Sequence, residues 1–213
     1  MLLWHEVLPK KYPLIERFNH QYPVRMRQKN IRKSKIKTLE IGAGIGEQLS
    51  YENLSDQEYS VLELRHELSE IIKRRFPECR VLVGDCQAHI PFPDQTFDRV
   101  LAVHVLEHLT NLPAALKEIY RVCKKEGQFC AVIPCEGGWF YEFCRSISAK
   151  RVFEKKYSQS YNWLICSEHV NSFEEVVEEI KKLFKVTHSF YFPFVLPSTH
   201  FNLAVGLTME PTQ

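Results

Sequence analysis

The sequence predicts an α/β protein with a mostly parallel sheet covered by helices on both faces. From residue 36 onward, short apolar segments that suit strands alternate with amphipathic segments that suit helices. A glycine-rich turn follows the first of these strands. Near the end of the chain, residues 201–209 alternate large apolar residues with small or polar ones, which indicates a closing antiparallel strand.

Length and composition are those of one globular domain, which we expect to span residues 1–213. The chain is 45% hydrophobic and 25% charged, and no polyanion-binding role follows from its net charge of +2. Seven cysteines without a C-x-x-C pair predict buried, reduced thiols. No secretory signal and no apolar run of roughly 20 residues is visible, so we expect a cytoplasmic protein.

The first elements follow from apolar runs and their punctuation. Residues 36–41 have the length and pattern of a buried strand, and a short helix is expected at 46–54 after the glycines. A helix at 67–76 is ended by Pro77, which cannot continue a helix. Further runs of strand length lie at 59–64, 80–84 and 97–103.

A third helix is marked more clearly than the other two. Pro113 suits its first turn, and Gly127 is expected to stop it. A fifth strand is predicted directly afterwards, at 128–133. The apolar residues that recur at helical spacing are Leu112, Leu116, Ile119, Tyr120 and Cys123.

The last third of the chain departs from this alternation. Residues 135–170 are rich in aromatic, Arg, Ser and Cys residues and interrupt it. Ser172 and Glu175 then have the spacing of a capping box, and an amphipathic helix over 173–184 follows. Strands are predicted at 186–194 and 201–209, as the closing part of the sheet.

The glycine turn, EIGAGIGEQL at 40–49, indicates a backbone that approaches a ligand closely. Its spacing is G-x-G-x-G rather than G-x-G-x-x-G, and no G-K-[ST] follows, which excludes a phosphate loop. Glu63 ends the next strand, 17 residues after Gly46. A carboxylate there can accept both ribose hydroxyls of an adenosine, although a solvated charge at a strand end is the alternative.

Five segments together carry a pattern that is typical of one family. They are LEIGAGIG at 39–46, VGDC at 83–86, IPFPDQTFD at 90–98, VHVLEHL at 103–109 and RVCKKEGQ at 121–128. The pattern resembles the class I S-adenosylmethionine-dependent methyltransferases, in their small-molecule, type 11-like branch. The resemblance implies a seven-stranded sheet of order 3-2-1-4-5-7-6 with strand 7 antiparallel. It also implies S-adenosylmethionine as the cofactor and S-adenosylhomocysteine as its product.

The resemblance also implies which positions bind the cofactor. The methionine end would be held by the glycine turn, together with Glu40 and the backbone around His104. Gln128 stands where a second glycine is usual, which affects a surface turn. The implied cofactor-binding residues are Glu40, Gly42, Gly44, Gly46, Glu63, Leu64, Asp85, Cys86 and His104.

For the adenosine end, the resemblance implies that Glu63 binds the ribose with Leu64 beside the adenine. Asp85 would accept from the adenine amino group, and Cys86 would lie along the ring with a backbone contact. Structural roles compete with these: Asp85 could cap a loop, and His104 could be a packed turn residue. Glu107 and His108, which follow in the same turn, are expected to be structural.

Methyl transfer to an oxygen or carbon acceptor calls for a base near the methyl group. Ligands of open α/β sheets bind beyond the carboxyl ends of strands, which places Glu136 on the acceptor side. His169 is the first choice for the base, although His169 and Asn171 could instead only tie the cap to the sheet. The catalytic candidates are His169, Tyr141 and His104. Further candidates for the pocket are Arg145 and Tyr161, and no metal is expected.

Four segments are expected within the single domain. Residues 1–35 would form a lid and 36–134 the cofactor-binding half, with a cap insertion at 135–170 and the closing helix and strands at 171–213. The basic residues between Arg25 and Lys37 would form a solvated face, or contact a membrane surface or a phosphate-bearing substrate, with nucleic acid a weaker third reading.

The expected acceptor is a small molecule: a lipid, a glycan or a secondary-metabolite intermediate. A nucleic-acid base is disfavoured, because Val103-His104-Val105-Leu106 replaces the N/D-P-P-Y/F tetrapeptide of many enzymes that methylate such bases. Two other functions stay open, a non-catalytic methyltransferase-like binding module and an NAD(P)-dependent oxidoreductase. The sequence determines neither the attacking atom of the acceptor nor the oligomeric state.

Overall fold

The computed structural model describes residues 11–28, 35–158 and 160–212 of the chain. The strands in these ranges are β1 Ile36–Ile41, β2 Gln57–Glu63, β3 Arg80–Val83, β4 Phe97–Val103, β5 Cys123–Pro134, β6 Phe184–Phe192 and β7 Ala204–Pro211. They form one sheet of order β3-β2-β1-β4-β5-β7-β6. Strands β1 to β5 pair in parallel, and β7 is antiparallel to both β5 and β6. The fold class and the strand order expected from the sequence are confirmed.

The helices cover both faces of this sheet. In the described ranges they are α1 Pro13–Arg25, α2 His66–Arg75, α3 Leu112–Val122, α4 Trp139–Ile147, α5 Ala149–Tyr157, α6 Tyr161–Glu168 and α7 Phe173–Lys181. One core joins α3 and α7 to one face of the sheet, and α1 and α2 pack on the other. None of these described helices has the length and apolar character that crossing a bilayer requires.

Successive side chains of the central strands point to opposite faces of the sheet and so contribute to the cores on both faces. Val100 points into the core under α3 and α7, and its neighbour Leu101 packs on the opposite side of the sheet. Each is completely buried, and burying such a side chain contributes about 1.5–3 kcal/mol. A strand that is buried on both faces needs apolar residues at successive positions, which explains the continuous apolar runs in the sequence.

Helix α1 is anchored to the sheet by polar contacts as well as packing. The hydroxyl of Tyr22 lies 2.9 Å from Oγ1 of Thr208, and its ring packs on Gly206, where a Cβ would come within 2.5 Å. Arg99 on β4 donates to the main-chain oxygen of Pro23 and to Glu52. The described part of the segment expected to be a lid therefore covers one face of the sheet.

Several predicted elements differ from the structure in type or in bounds. The helix expected at 46–54 is a pair of 3₁₀ turns, Gln48–Tyr51 and Leu54–Asp56. Its geometry is set by tertiary contacts, because the buried Gln48 amide donates to the main-chain oxygen of His20 and to Glu52. These bonds take precedence over an intrahelical pattern in so short a segment.

The stop expected at Gly127 is also wrong. Helix α3 ends at Val122, and the chain enters β5 at once because Cys123 pairs with Phe97 of β4. The register then shifts, so that Arg99 pairs with Gln128. Gly127 lies in this irregular stretch, where a Cβ would come within 2.9 Å of Sγ of Cys123. The glycine serves a strand irregularity rather than a helix end.

The capping box at the start of α7 is confirmed. The Ser172 hydroxyl accepts from the Glu175 amide at 3.3 Å, and the Glu175 carboxylate accepts from the Ser172 amide at 2.7 Å. The helix ends at Lys181, and Phe184 already begins β6, earlier than the sequence predicted. Residues 135–170, which interrupt the alternation, contain the three short helices α4, α5 and α6.

Only part of the basic stretch between Arg25 and Lys37 lies in the described ranges. Arg27 forms a two-pronged ion pair with Asp56, at 2.9 and 3.0 Å, and Nζ of Lys37 lies 3.9 Å from Glu58. Residues 29–34, with three of the basic side chains, lie outside the described residues. A contact of this stretch with a membrane surface or a phosphate stays a prediction.

Candidate functional site

The glycine turn after β1 has a shape that only glycine permits. Gly42, Gly44 and Gly46 all have positive φ, at 66°, 59° and 85°. A Cβ on Gly42 would lie 2.7 Å from Val105, and one on Gly46 would lie 2.9 Å from the Phe76 ring. The turn is therefore fixed by both its dihedral angles and its packing. It presents main-chain atoms, without side chains, at the carboxyl end of β1.

The carboxylate of Glu63 is bonded to this turn. Oε2 accepts from the Gly44 amide at 3.0 Å, and Oε1 accepts from the Arg65 amide at 3.1 Å. Glu63 is the last residue of β2, and only 2% of it is exposed. Oε1 also accepts from Nε of Arg65 at 3.4 Å, whereas Oε2, among the described residues, accepts only from Gly44 and so stays able to accept from a hydroxyl group. Because Glu63 is buried, it is not the solvated charge at a strand end that was the alternative from the sequence.

Glu40 on β1 is a buried carboxyl group with an altered pKa. The Tyr59 hydroxyl donates to its Oε2 at 2.9 Å. Burial raises the pKa of Glu40 to about 8, against the smaller lowering effect of the Tyr59 hydrogen bond. The group is therefore mostly neutral at pH 7, and a cation placed beside it would favour the ionised form.

The segment after β3 is held by its own side chains. Asp85 accepts from the Gln87 amide at 2.8 Å, which is the loop-capping role that the sequence left open. The Cys86 thiol packs in the core, and burial raises its pKa to about 12, so only its main chain can face a ligand. Leu64, after β2, is exposed.

His104 occupies a strained turn at the end of β4. Its φ is 53°, and its amide donates to the Val132 carbonyl at 2.9 Å. Its Nδ1 lies 3.3 Å from Oε1 of Glu107, which is a hydrogen bond when Nδ1 carries the proton. The other oxygen of Glu107 has no hydrogen-bond partner among the described residues.

The buried Glu107 is kept ionised by two histidines. Burial would raise its pKa, but the hydrogen bond from His104 and the charges of His104 and His108 outweigh burial, and the pKa lies below its usual value. Nε2 of His108 lies 4.0 Å from the carboxylate. The sequence predicted Glu107 to be only structural, and its closeness to His104 in the chain was the one signal available.

A second pair of a histidine and a glutamate lies beyond the end of β5. Nδ1 of His169 is 2.6 Å from Oε1 of Glu136, although the angle at Nδ1 is not that of a hydrogen bond. The Tyr141 hydroxyl donates to the same carboxylate oxygen at 3.2 Å. Burial raises the pKa of Tyr141 well above its usual value, so this phenol stays a donor. The guanidinium of Arg145 lies 5.9 Å from the centre of the Tyr141 ring and 5.7 Å from that of Tyr161.

The residues around Glu107 and the residues around Glu136 are connected by direct contacts. The His108 and His169 rings meet edge to face with centroids 4.4 Å apart, and the main-chain oxygen of Glu107 accepts from the Val170 and Asn171 amides. His104, Tyr141 and His169, the three catalytic candidates, therefore belong to one chain of contacts at the carboxyl ends of β4 and β5. The Asn171 amide donates to two carbonyls of the turn, at 2.7 and 3.0 Å, so its role is to tie the segments together.

The described titratable side chains of this region do not group as metal ligands. Among the described residues, no cluster of three or more His, Cys, Asp or Glu side chains could hold a metal ion. The six cysteines that are described as free thiols are buried or half-buried. Burial raises the pKa of Cys135, the one nearest to Glu136 in the chain, to about 12, so this thiol stays protonated.

Comparison with known proteins finds relatives for the part of the chain that contains the glycine turn. Residues 39–131 match the family described as a methyltransferase domain. The ubiquinone/menaquinone biosynthesis C-methyltransferase UbiE of Neisseria meningitidis is 33% identical over 98 residues, which is 43% of this chain and 40% of that protein. The chain thus spans about two fifths of the length of this curated relative.

Solved structures extend the likeness to the whole fold. The PH0226 protein of Pyrococcus horikoshii superposes with a TM-score of 0.68 at 17% identity, covering 98% of both chains. A TehB-like SAM-dependent methyltransferase of Corynebacterium glutamicum gives a TM-score of 0.63 at 17% identity, with 91% of this chain and 87% of that one covered. The candidate acceptor residues Glu136 and His169 lie outside the residues that match the family.

Proposed function

The chain contains a domain of the class I S-adenosylmethionine-dependent methyltransferase family, and from this we propose that it transfers the cofactor's methyl group to a small-molecule acceptor. The observation that carries the proposal is the bond between the Gly44 amide and the buried carboxylate of Glu63. It joins the two parts of the chain that an adenosine would contact, the glycine turn and the acid at the end of β2.

The residues around the turn fit this cofactor. Gly42 and Gly46 leave the main chain bare where a Cβ would clash, so a ligand can approach the backbone closely. Glu63 would bind the ribose hydroxyls, and Asp85, which also accepts from the Gln87 amide, would bind the adenine together with the Cys86 main chain. Glu40 provides the negative charge for the methionine end. The bound cofactor supplies a methyl carbon that its sulfonium has already activated.

The acceptor side is formed by Glu136 and His169. Nδ1 of His169 lies 2.6 Å from the carboxylate, without the angle of a hydrogen bond, and Nε2 is the ring nitrogen that would take a proton from the acceptor. The Glu136 charge stabilises the imidazolium that results, as a carboxylate does in other histidine-base sites. The pair therefore suits an acceptor that must lose a proton, such as an alcohol, a phenol or a carbon next to a carbonyl.

Tyr141 and His104 have different roles in this proposal. The raised pKa of Tyr141 makes it a poor base, and its hydrogen bond to Glu136 makes it a positioning residue. His104 is held by its amide and by Glu107, and its imidazole is about one third exposed beside the turn. It contacts the acceptor or the methionine end and orients the reacting groups.

The acceptor belongs to the small-molecule class, as a lipid, a glycan or a secondary-metabolite intermediate. Support for this comes from the Val103–Leu106 turn, which lacks the tetrapeptide of many nucleic-acid base methyltransferases. A non-catalytic binding module is the second candidate. The buried contacts of Glu63 and the Glu136–His169 pair disfavour it, because a module without activity has no need of a base.

Calorimetric titration tests the proposal. We expect S-adenosylmethionine and S-adenosylhomocysteine to bind, and NADH not to bind. Replacing Glu63 by Ala should weaken S-adenosylmethionine binding by roughly 2–4 kcal/mol, because two charge-assisted hydrogen bonds are lost. The matched control is Glu58→Ala, an exposed glutamate on the same strand. Tight NADH binding with no response to either adenosyl compound would overturn the proposal.

A further inference from the structure

One side of helix α4 presents large apolar side chains to solvent. Trp139, Phe143 and Ile147 follow one another at intervals of four residues, which places them on one stripe of the helix. Each is at least half exposed, and Trp139 reaches 66%. An amphipathic surface helix normally turns such a stripe toward the core. Here the stripe faces outward.

The loop between β6 and β7 adds three more such residues beside it. Phe194, Val195 and Leu196 are consecutive, and each is more than half exposed. The loop is nevertheless firmly held, because the completely buried Asn202 accepts from the Phe194 amide and donates to the Leu196 and Ser198 carbonyls, at 2.8–3.0 Å. The exposure of these side chains is therefore built into the loop.

Ring contacts join the helix and the loop into one surface. The Trp139 and Phe201 centroids are 6.4 Å apart, and those of Phe140 and Phe194 are 5.2 Å apart. We call this surface the aromatic face; it comprises Trp139, Phe143, Ile147, Phe194, Val195, Leu196 and Phe201. Single exposed apolar residues are ordinary, but a contiguous group of this kind marks an interaction site.

The charge next to the aromatic face indicates what the face contacts. Helix α5 follows α4 after the single residue Ser148 and carries four basic residues and one acidic residue. Arg151 and Lys155 are exposed. Neither of them nor Lys150 forms an ion pair with another described residue. A cationic helix beside exposed Trp and Phe complements the surface of an anionic bilayer, where aromatic rings settle at headgroup depth.

We propose that the aromatic face and helix α5 together form a docking surface for an anionic lipid bilayer. The aromatic rings enter the interface, and the basic side chains bind the negative headgroups. None of the helices in the described ranges crosses the bilayer in this arrangement. Docking does not depend on methyl transfer, so it can be tested separately from the function proposed above.

The placement of α4 connects this surface to the candidate site. Trp139 and Phe143 lie on the outer side of the helix, and Tyr141 and Arg145 contact Glu136 and Tyr161 from its other side. Resting on the proposed function, this arrangement favours an amphiphilic acceptor that reaches His169 from the bilayer surface.

Co-sedimentation with vesicles tests the docking. We expect the full chain to bind vesicles of phosphatidylcholine containing roughly one third phosphatidylglycerol, to bind pure phosphatidylcholine much less, and to lose binding as salt rises. The double variant Arg151→Glu/Lys155→Glu should lower the partition coefficient by about 25-fold or more, from about fivefold per removed charge. The matched control is Lys117→Glu/Lys125→Glu, which changes the net charge equally at exposed positions elsewhere.

The apolar part is tested by Trp139→Ser, for which we expect about a tenfold loss of vesicle binding. Its control is Leu14→Ser, a similarly exposed apolar residue on α1. Thermal unfolding and S-adenosylmethionine binding of each variant show that it is folded. Absence of binding to anionic vesicles, or equal losses in variants and controls, would overturn the proposal. So would a dimer that Trp139→Ser dissociates, which would assign the face to a second copy of the chain.

Discussion

Oε1 of Glu136 lies 2.6 Å from Nδ1 of His169, although the two residues are 33 positions apart in the chain. The contact joins the end of β5 to the segment that precedes α7. The same oxygen of Glu136 also accepts a hydrogen bond from the Tyr141 hydroxyl, so three segments of the cap meet at one carboxylate. The acceptor side of the proposed site is therefore assembled by tertiary contacts.

Replacing His169 by Gln should abolish most methyl transfer. A general base contributes typically 10²–10⁴-fold, and we expect kcat to fall by about that factor. Glu136→Gln, which keeps the shape but removes the charge, should lower kcat less, by about tenfold to a hundredfold. The measurement is transfer of labelled methyl from S-adenosylmethionine into a panel of phenols, sterically simple alcohols and extracted lipids.

The control for His169→Gln is His66→Gln, which changes an exposed histidine on α2. Both variants should bind S-adenosylmethionine as the unaltered protein does, because neither residue belongs to the proposed cofactor contacts. If His169→Gln retained full kcat at all pH values, the assignment of the base would be wrong.

Cofactor binding should release a proton from Glu40. Burial raises the pKa of this carboxyl group to about 8, so it is mostly protonated at pH 7. A cationic ligand beside it favours the carboxylate, and about one proton should leave per ligand bound. Titrations at pH 7 in buffers with different ionisation enthalpies give this number directly. In Glu40→Gln the release should vanish, and an unchanged release would assign the proton to another group.

The raised pKa of Glu40 also predicts how the stability of the unliganded protein changes with pH. The folded-state pKa of Glu40 lies above its usual value of 4.5, so its contribution to stability is fully present below that value. The contribution is lost as the pH rises through about 8. The free energy of unfolding should therefore decline between pH 4.5 and 8 less steeply in Glu40→Gln than in the unaltered protein.

The cofactor half could be predicted from the sequence because its signals are local. Three glycines that need positive φ follow directly on a strand, and Glu63 ends the next strand. The Glu136–His169 pair could not be predicted as a pair, because it depends on how the intervening helices α4–α6 fold back. The role of Gly127 could not be predicted for a related reason. A glycine after a helix pattern suits either a helix end or a strand irregularity, and the pairing of Cys123 with Phe97 decides between them.

The buried ion pair between Arg99 and Glu52 should be important for holding α1 on the sheet. Nη1 of Arg99 lies 2.9 Å from Glu52, and both side chains are almost completely buried. Glu52→Gln leaves the guanidinium charge without its partner, and we expect the free energy of unfolding to fall by about 3–5 kcal/mol. Urea denaturation measures this. Asp56→Asn, which breaks the partly exposed pair with Arg27, should cost no more than about 1 kcal/mol. Equal effects of the two variants would contradict the prediction.

The stability that Glu118 contributes should be lost in acid. Its two oxygens bind the Arg121 guanidinium at 2.7 and 2.8 Å, and the Ile90 amide donates to one of them at 2.8 Å. The Arg121 hydrogen bonds, against a smaller effect of burial, lower the pKa of Glu118 to about 2.

Because the folded-state pKa is below the usual 4.5, the ionised group contributes stability at every pH above that value. This contribution is lost as the pH falls from 4.5 through about 2. Glu118→Gln should therefore lower the free energy of unfolding by about 1.5–3 kcal/mol at pH 7. The difference from the unaltered protein should shrink between pH 4.5 and 2. Urea titrations across this range, with the exposed Glu126→Gln as control, check both statements. A difference that stayed constant down to pH 2 would show that the ionised form of Glu118 is not the source of the stability.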